Sequence, residues 1–139
     1  MNNKDVGTAW EYEFFARILE LGYDLFIPAG DYLPQDCVVG NSAGKLFKVQ
    51  IKGTTRTCPD KRKTPRYKIC AGSGAKSKIP IDCTKVDLLA VYIAPKKLWY
   101  LIPCLDLDQT VGCWFYPDKE DSKARFEIYR DNWDYFKQG

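Results

Sequence analysis

The chain has 139 residues, 45% apolar and 14% aromatic, enough for one ordinary domain that buries about two thirds of its unfolded surface without help from disulfides. It carries 21 basic and 18 acidic residues and no histidine, which excludes a Cys–His nucleophilic pair and any chemistry that uses histidine as general base. No apolar run approaches the roughly 18 residues of a membrane span, and the opening MNNKDVGTAWEYEFF has neither the basic nor the apolar region of a secretory leader. A single domain over residues 1–139 in the cytoplasm is therefore expected. Cys37, Cys58, Cys70, Cys83, Cys104 and Cys113 are scattered without a C-x-x-C pair, so the expectation is reduced structural thiols and no zinc site.

The first predicted element is a helix from Asp5 to Leu21, stopped by Gly22. At 3.6 residues per turn Trp10, Phe14, Ile18 and Leu21 form an apolar stripe widened by Phe15. Glu11 falls on its flank, where a carboxylate is expensive to bury without a partner; it either pairs, with a lysine for example, or reaches water. Tyr23 to Ile27 reads as a strand ended by Pro28, and a polar turn leads to a short strand at Cys37-Val38-Val39. After the turn Gly40 to Gly44 comes KLFKVQIK. Its period of two puts Phe47, Val49 and Ile51 on one face and Lys48, Gln50 and Lys52 on the other.

From Gly53 to Lys85 the pattern is poor, with PRYKIC around Arg66 to Cys70 as the plausible strand. LLAVYI (Leu88 to Ile93) and LWYLI (Leu98 to Ile102) read as a buried hairpin. Cys113 to Tyr116 reads as an internal core strand. A short strand around Phe126 to Tyr129 and a terminal helical turn from Asp131 to Phe136, packing Trp133 and Phe136, complete the chain.

The net charge of +3 is unevenly spread. Between Lys45 and Lys78 lie eleven basic residues, including Lys48, Lys52, Arg56, Lys61, Arg62, Lys63 and Arg66, with Asp60 the only acid among them. So one-sided a segment is either a solvated loop or a surface that faces a polyanion; Lys48, Arg56, Lys61, Arg62, Lys63 and Arg66 are the candidate DNA phosphate contacts.

Asp36 opens one short strand, and Gln50 and Lys52 project together from the next, so antiparallel pairing brings the three within a few ångströms. A hard cation such as Mg²⁺ takes one or two carboxylates plus other oxygens. Asp36 supplies the charge, while the Gln50 amide oxygen and the Ile51 backbone carbonyl can complete the protein ligands. Lys52 can position an attacking water or neutralise charge developing on a phosphate. The pattern D-x13-Q-x-K is short and occurs by chance in many proteins; its weight comes from the flanking strands, the helix acid and the basic segment that follows.

GTAWE at Gly7 to Glu11, LGY, PQD ending at Asp36, VQIKGT at Val49 to Thr54, and VDLLAVYI with LWYLIP together resemble the PD-(D/E)XK nuclease superfamily. The likeness is greatest to the small nucleases associated with group I introns, and more distant to archaeal Holliday-junction resolvases. It implies an α/β restriction-endonuclease-like fold, a mixed central β-sheet flanked by helices with an αβββαβ core. It also implies that Asp36 and Gln50 are metal ligands, Lys52 the catalytic lysine and Glu11 a further metal-binding acid, with Mg²⁺ as cofactor and Mn²⁺ able to replace it. Gln50 stands where the family pattern has a second acid, and Gln35-Asp36 replaces Pro-Asp, with Pro34 one residue earlier.

The function expected is a metal-dependent endodeoxyribonuclease acting on double-stranded DNA, site-specific in the manner of a homing enzyme. So small a domain needs a homodimer or homotetramer to span a long site. The alternatives are a resolvase of Holliday junctions or other branched DNA, an inactive DNA-binding relative, and a plain α/β domain whose lysines serve solubility.

Overall fold

A computed structural model describes residues 3–55, 57, 64–73 and 78–139, with side chains from residue 7 onward. Helix α1 (Asn3–Glu20) leads, and it ends as its sequence dictates. Gly22 adopts φ +85°, a conformation that suits glycine, which lets the amide of Tyr23 bond back to the Ile18 carbonyl at 3.2 Å. Phe14 and Ile18 are fully buried, with Phe15 nearly so. Leu21 lies beyond the last helical residue and is 41% exposed, so it leaves the expected stripe because the helical period no longer aims it.

The central sheet contains β1 (Asp24–Phe26), β2 (Cys37–Gly40), β3 (Leu46–Thr54), β7 (Leu88–Ile93) and β8 (Leu98–Pro103), side by side in that order. Strands β1, β2 and β3 form an antiparallel meander, β3 and β7 run parallel, and β7 returns through a hairpin to β8. Every residue of β7 is buried, as a strand covered on both faces requires. The hairpin turns through a 3-10 segment, Ala94–Lys96, with Lys97 left-handed.

Each face of this sheet has its own core. Helix α1 covers one, where Phe14, Ile18, Val49, Ile51 and Ala90 pack with Trp99 and Phe136. A ribbon of β4 (Tyr67–Cys70) and β9 (Gly112–Phe115) covers the other, its Tyr67, Ile69, Cys113 and Phe115 meeting Leu89, Val91 and Tyr100. The short strands β5 (Gly72–Ser73) and β6 (Ile79–Pro80) pair beside it.

Three expectations change. Among the described residues α1 is the one α-helix, and the place of the second helix of an αβββαβ core is taken by the ribbon. The strand expected at RYKIC is present as β4: its burial alternates, with Tyr67 and Ile69 inward and Lys68 outward, the period of two of a strand. The strand expected at Phe126 to Tyr129 is instead a 3-10 turn, Glu127–Tyr129; Phe126 and Tyr129, three apart, join the same cluster, which suits three residues per turn. Cys83 and Cys104 form a disulfide with Cα atoms 5.6 Å apart, against the expectation of free thiols, because the end of β8 returns beside the loop that precedes β7. Cys37, Cys70 and Cys113 are free; Cys58 lies outside the described residues.

The terminal turn, Trp133–Lys137, buries Trp133 and Phe136 as expected. Buried Asn41 holds it in place: its side-chain amide donates to the carbonyls of Phe136, at 2.8 Å, and Gln138. Its carbonyl oxygen accepts from the amides of Ala43 and Lys45, both at 3.0 Å. No helix among the described residues is long and apolar enough to cross a membrane.

Candidate active site

Asp36 stands one residue ahead of β2 and is clamped to β3 at both ends. Its amide donates to the Val49 carbonyl at 2.8 Å, and its carboxylate accepts from the Ile51 amide at 2.6 Å. Ile51 thus touches the site through its backbone while its side chain is buried on the α1 face. Gln50 and Lys52 point to the opposite face, since their register partners on β7, Leu89 and Val91, belong to the ribbon-side core. The alternation read from KLFKVQIK is the one observed.

Glu11 finds its partner in an acid. Its carboxyl is hydrogen-bonded to that of Asp36. Burial, then the charge of Asp36, then that bond hold the Glu11 proton on, raising its pKa from an ordinary 4.5 to about 7. Asp36 also titrates above the usual carboxylate range because it is buried, although the Ile51 amide, Glu11 and the Lys52 ammonium each favour its charged form. The two acids share a proton that a cation between them would displace.

On β3 the Gln50 side-chain oxygen is buried with no hydrogen-bond partner. An orphaned amide oxygen of this kind is costly, roughly 1–3 kcal/mol, and it is the donor a hard cation accepts. Among the described residues no three of His, Cys, Asp and Glu converge to hold a metal, as expected where an amide replaces the third acid. The acid pair and an amide oxygen without a protein partner are donors of the kind that a hard divalent cation takes. Cys37, next to Asp36, is buried and its thiol is pushed far above its ordinary range by that burial, so it stays protonated and offers no thiolate ligand.

The acid pair opens into a cleft of about 410 Å³, walled by Ile27, Pro28, Gly30 and Leu33 as well as by Gln35. A slightly larger cleft, about 460 Å³ beside the Cys83–Cys104 disulfide, contains none of the expected site residues.

Trp10 and Gly53 have a positioning role that the sequence reading did not give them. The Trp10 ring lies where a side chain on Gly53 would have to go, and a Cβ there would meet it at 2.4 Å. The bare backbone of Gly53 thus lets α1 sit against β3 and brings Glu11, the next residue after Trp10, to Asp36. A glycine inside a strand often marks such an approach, and that is the signal that was available.

The candidate phosphate contacts separate. The amine of Lys48 donates to the Thr84 carbonyl at 3.0 Å, and the Arg66 guanidinium lies 4.3 Å over the Trp114 ring. Arg56, Lys61, Arg62 and Lys63 lie outside the described residues.

Comparison with known proteins agrees with this fold. The family model for PD-(D/E)XK endonucleases matches residues 1–134. Among solved structures the chain is similar to a bacterial homing endonuclease, I-Ssp6803I, with a TM-score of 0.74 and 23% identity, covering 97% of this chain and 93% of that one. None of the curated proteins matches. A family match along nearly the whole chain means that this protein belongs to the PD-(D/E)XK endonuclease family.

Proposed function

We propose that the protein is a metal-dependent endodeoxyribonuclease that hydrolyses phosphodiester bonds of double-stranded DNA at specific sites. One observation carries the reading: the carboxyl groups of Glu11 and Asp36 meet in one cleft, and the charge of Lys52 reaches Asp36. Glu11, Asp36 and Gln50, with the Ile51 carbonyl, are the residues that would hold the ion. A bound Mg²⁺, or Mn²⁺ in its place, supplies Lewis-acid charge at the scissile phosphate.

The chain's own residues do the rest. Glu11 and Asp36 give up their shared proton and become the anionic wall of the site. Lys52, on the same face of β3 as Gln50, offers an ammonium to the negative charge that develops on the phosphate oxygens and holds the attacking water by a hydrogen bond. The Ile51 amide fixes the Asp36 carboxylate, so the charge is preorganised. Site specificity in the homing manner is supported by the likeness to I-Ssp6803I, and a long site calls for a homodimer or homotetramer, because one small domain covers few base pairs.

The test is incubation of wild type and Lys52→Ala with supercoiled plasmid, in Mg²⁺ and in EDTA. Nicking or linearisation that needs both Mg²⁺ and Lys52, with activity reduced about 10²- to 10³-fold in the variant, is expected. Equal cutting by both proteins would sink the assignment of Lys52. Absence of cutting of plasmid, four-way junctions and candidate intron-insertion sites alike, with DNA binding intact, would replace the enzyme by a binding module.

A further inference from the structure

The β4–β9 ribbon has two unlike faces. Tyr67, Ile69, Cys113 and Phe115 turn inward and are buried against the central sheet. Turned outward are Lys68 and Trp114, which are register partners, with Arg66 immediately ahead of β4. The Arg66 guanidinium lies 4.3 Å from the centre of the Trp114 ring and the Lys68 ammonium 5.4 Å from it. Gly112 leaves room for the Lys68 stem, since a Cβ there would meet its Cε at 3.4 Å. Neither strand contains an acid. Two cations thus lie over one indole on the outer face of the ribbon.

The ribbon also lies on a particular side of the molecule. Gln50 and Lys52 project from the ribbon-facing side of the central sheet, so the patch and the catalytic lysine belong to the same side. A two-stranded antiparallel ribbon has the cross-section that the major groove of B-DNA admits. Arginine is the side chain whose planar fork matches the two acceptors of a guanine edge, and stacking on an aromatic ring restricts that fork before binding. Lysine, a compact charge on a flexible stem, suits a phosphate.

We infer that the β4–β9 ribbon enters the major groove of the substrate duplex, where Arg66, lying over Trp114, reads a guanine and Lys68 neutralises a phosphate. This rests on the nuclease reading above and adds to it the element that selects sequence. Trp114 is a positioning residue: it acts through the Arg66 guanidinium.

The experiment is selection of bound molecules from 30-bp duplexes with a randomised core, on the full chain, with Ca²⁺ replacing Mg²⁺ to suppress cutting. Wild type should enrich a guanine at one position of each half-site. Arg66→Lys, which keeps the charge, should lose that enrichment by roughly five- to a hundred-fold while total affinity for unselected duplex holds. Trp114→Ala should weaken enrichment at the same position and Trp114→Phe should restore most of it. Lys68→Ala should leave the selected sequence alone and lower the slope of log affinity against log salt by about one. The proposal is overturned if wild type selects no sequence, or if Arg66→Lys and Trp114→Ala select as wild type does. A wild type that sorts sequences in this way but never cuts plasmid in Mg²⁺ refutes the nuclease reading alone. A wild type that cuts, with variants that select like it, refutes the ribbon alone.

Discussion

The carboxyl groups of Glu11 and Asp36 are hydrogen-bonded to each other, although one residue lies on α1 and the other just ahead of β2. Two like charges in a partly buried site cannot both ionise freely, so without a cation the pair keeps a proton near neutral pH. Folding and metal binding then respond to pH in opposite ways.

In metal-free protein the Glu11 proton is held up to about pH 7 in the folded state, against an ordinary 4.5 when unfolded. The folded state therefore binds more protons than the unfolded chain across that window. This contribution to stability is complete below pH 4.5 and is lost as pH rises through about 7. Urea denaturation in EDTA should show wild type losing stability relative to Glu11→Gln from about pH 5 to about pH 7.5. A constant difference between the two proteins over that range would show that Glu11 does not hold the proton.

Divalent cation affinity should run the other way, because the ion must displace that proton. Calorimetric titration with Mn²⁺ in buffers of different ionisation enthalpy is expected to show tighter binding as pH rises toward neutrality, with protons released. Binding without proton release would contradict a shared proton at the site.

Gln50 has a buried oxygen with no partner, so the metal-free fold is strained there by an unmet hydrogen bond. Gln50→Leu should raise stability in EDTA by about 1 kcal/mol and abolish Mg²⁺-dependent cutting. Gln50→Glu should tighten the ion while keeping activity, since it adds charge without changing reach. Destabilisation by Leu would mean that the amide does structural service instead.

Gly53→Ala should cost about 1–3 kcal/mol, the usual range for overpacking, because the new methyl meets the Trp10 ring. Shifting Trp10 also shifts Glu11, so turnover should fall as well. Combining Gly53→Ala with Trp10→Leu should recover stability in thermal melts; if it does not, the two residues are not in the contact described.

The Cys83–Cys104 bridge closes a loop with a sequence separation of 21. Cys104→Ser should lower stability by roughly 3 kcal/mol on the chain-entropy account. Thiol counting in denaturant should reveal two further thiols only after reduction. An unchanged count would return these cysteines to the free state read from the sequence.

Much of this protein was legible in the chain itself, wherever the signal was local. The glycine stop after α1, the alternation of KLFKVQIK and the buried runs LLAVYI and LWYLI each follow from a period or a turn residue, and a period reports which face is dry regardless of what covers it. Asp36, Gln50 and Lys52 could be grouped because a single hairpin joins their strands. The tertiary structure decided what lies across space. It chose an acid as the partner of Glu11, left Gln50 without a hydrogen bond, joined Cys83 to Cys104 and paired two distant strands into the ribbon that covers the second face of the sheet. Those outcomes depend on desolvation and on contacts between segments far apart in the chain, which no local pattern encodes; a carboxyl group meets its neighbour, and keeps its proton, only after the backbone has brought both out of water.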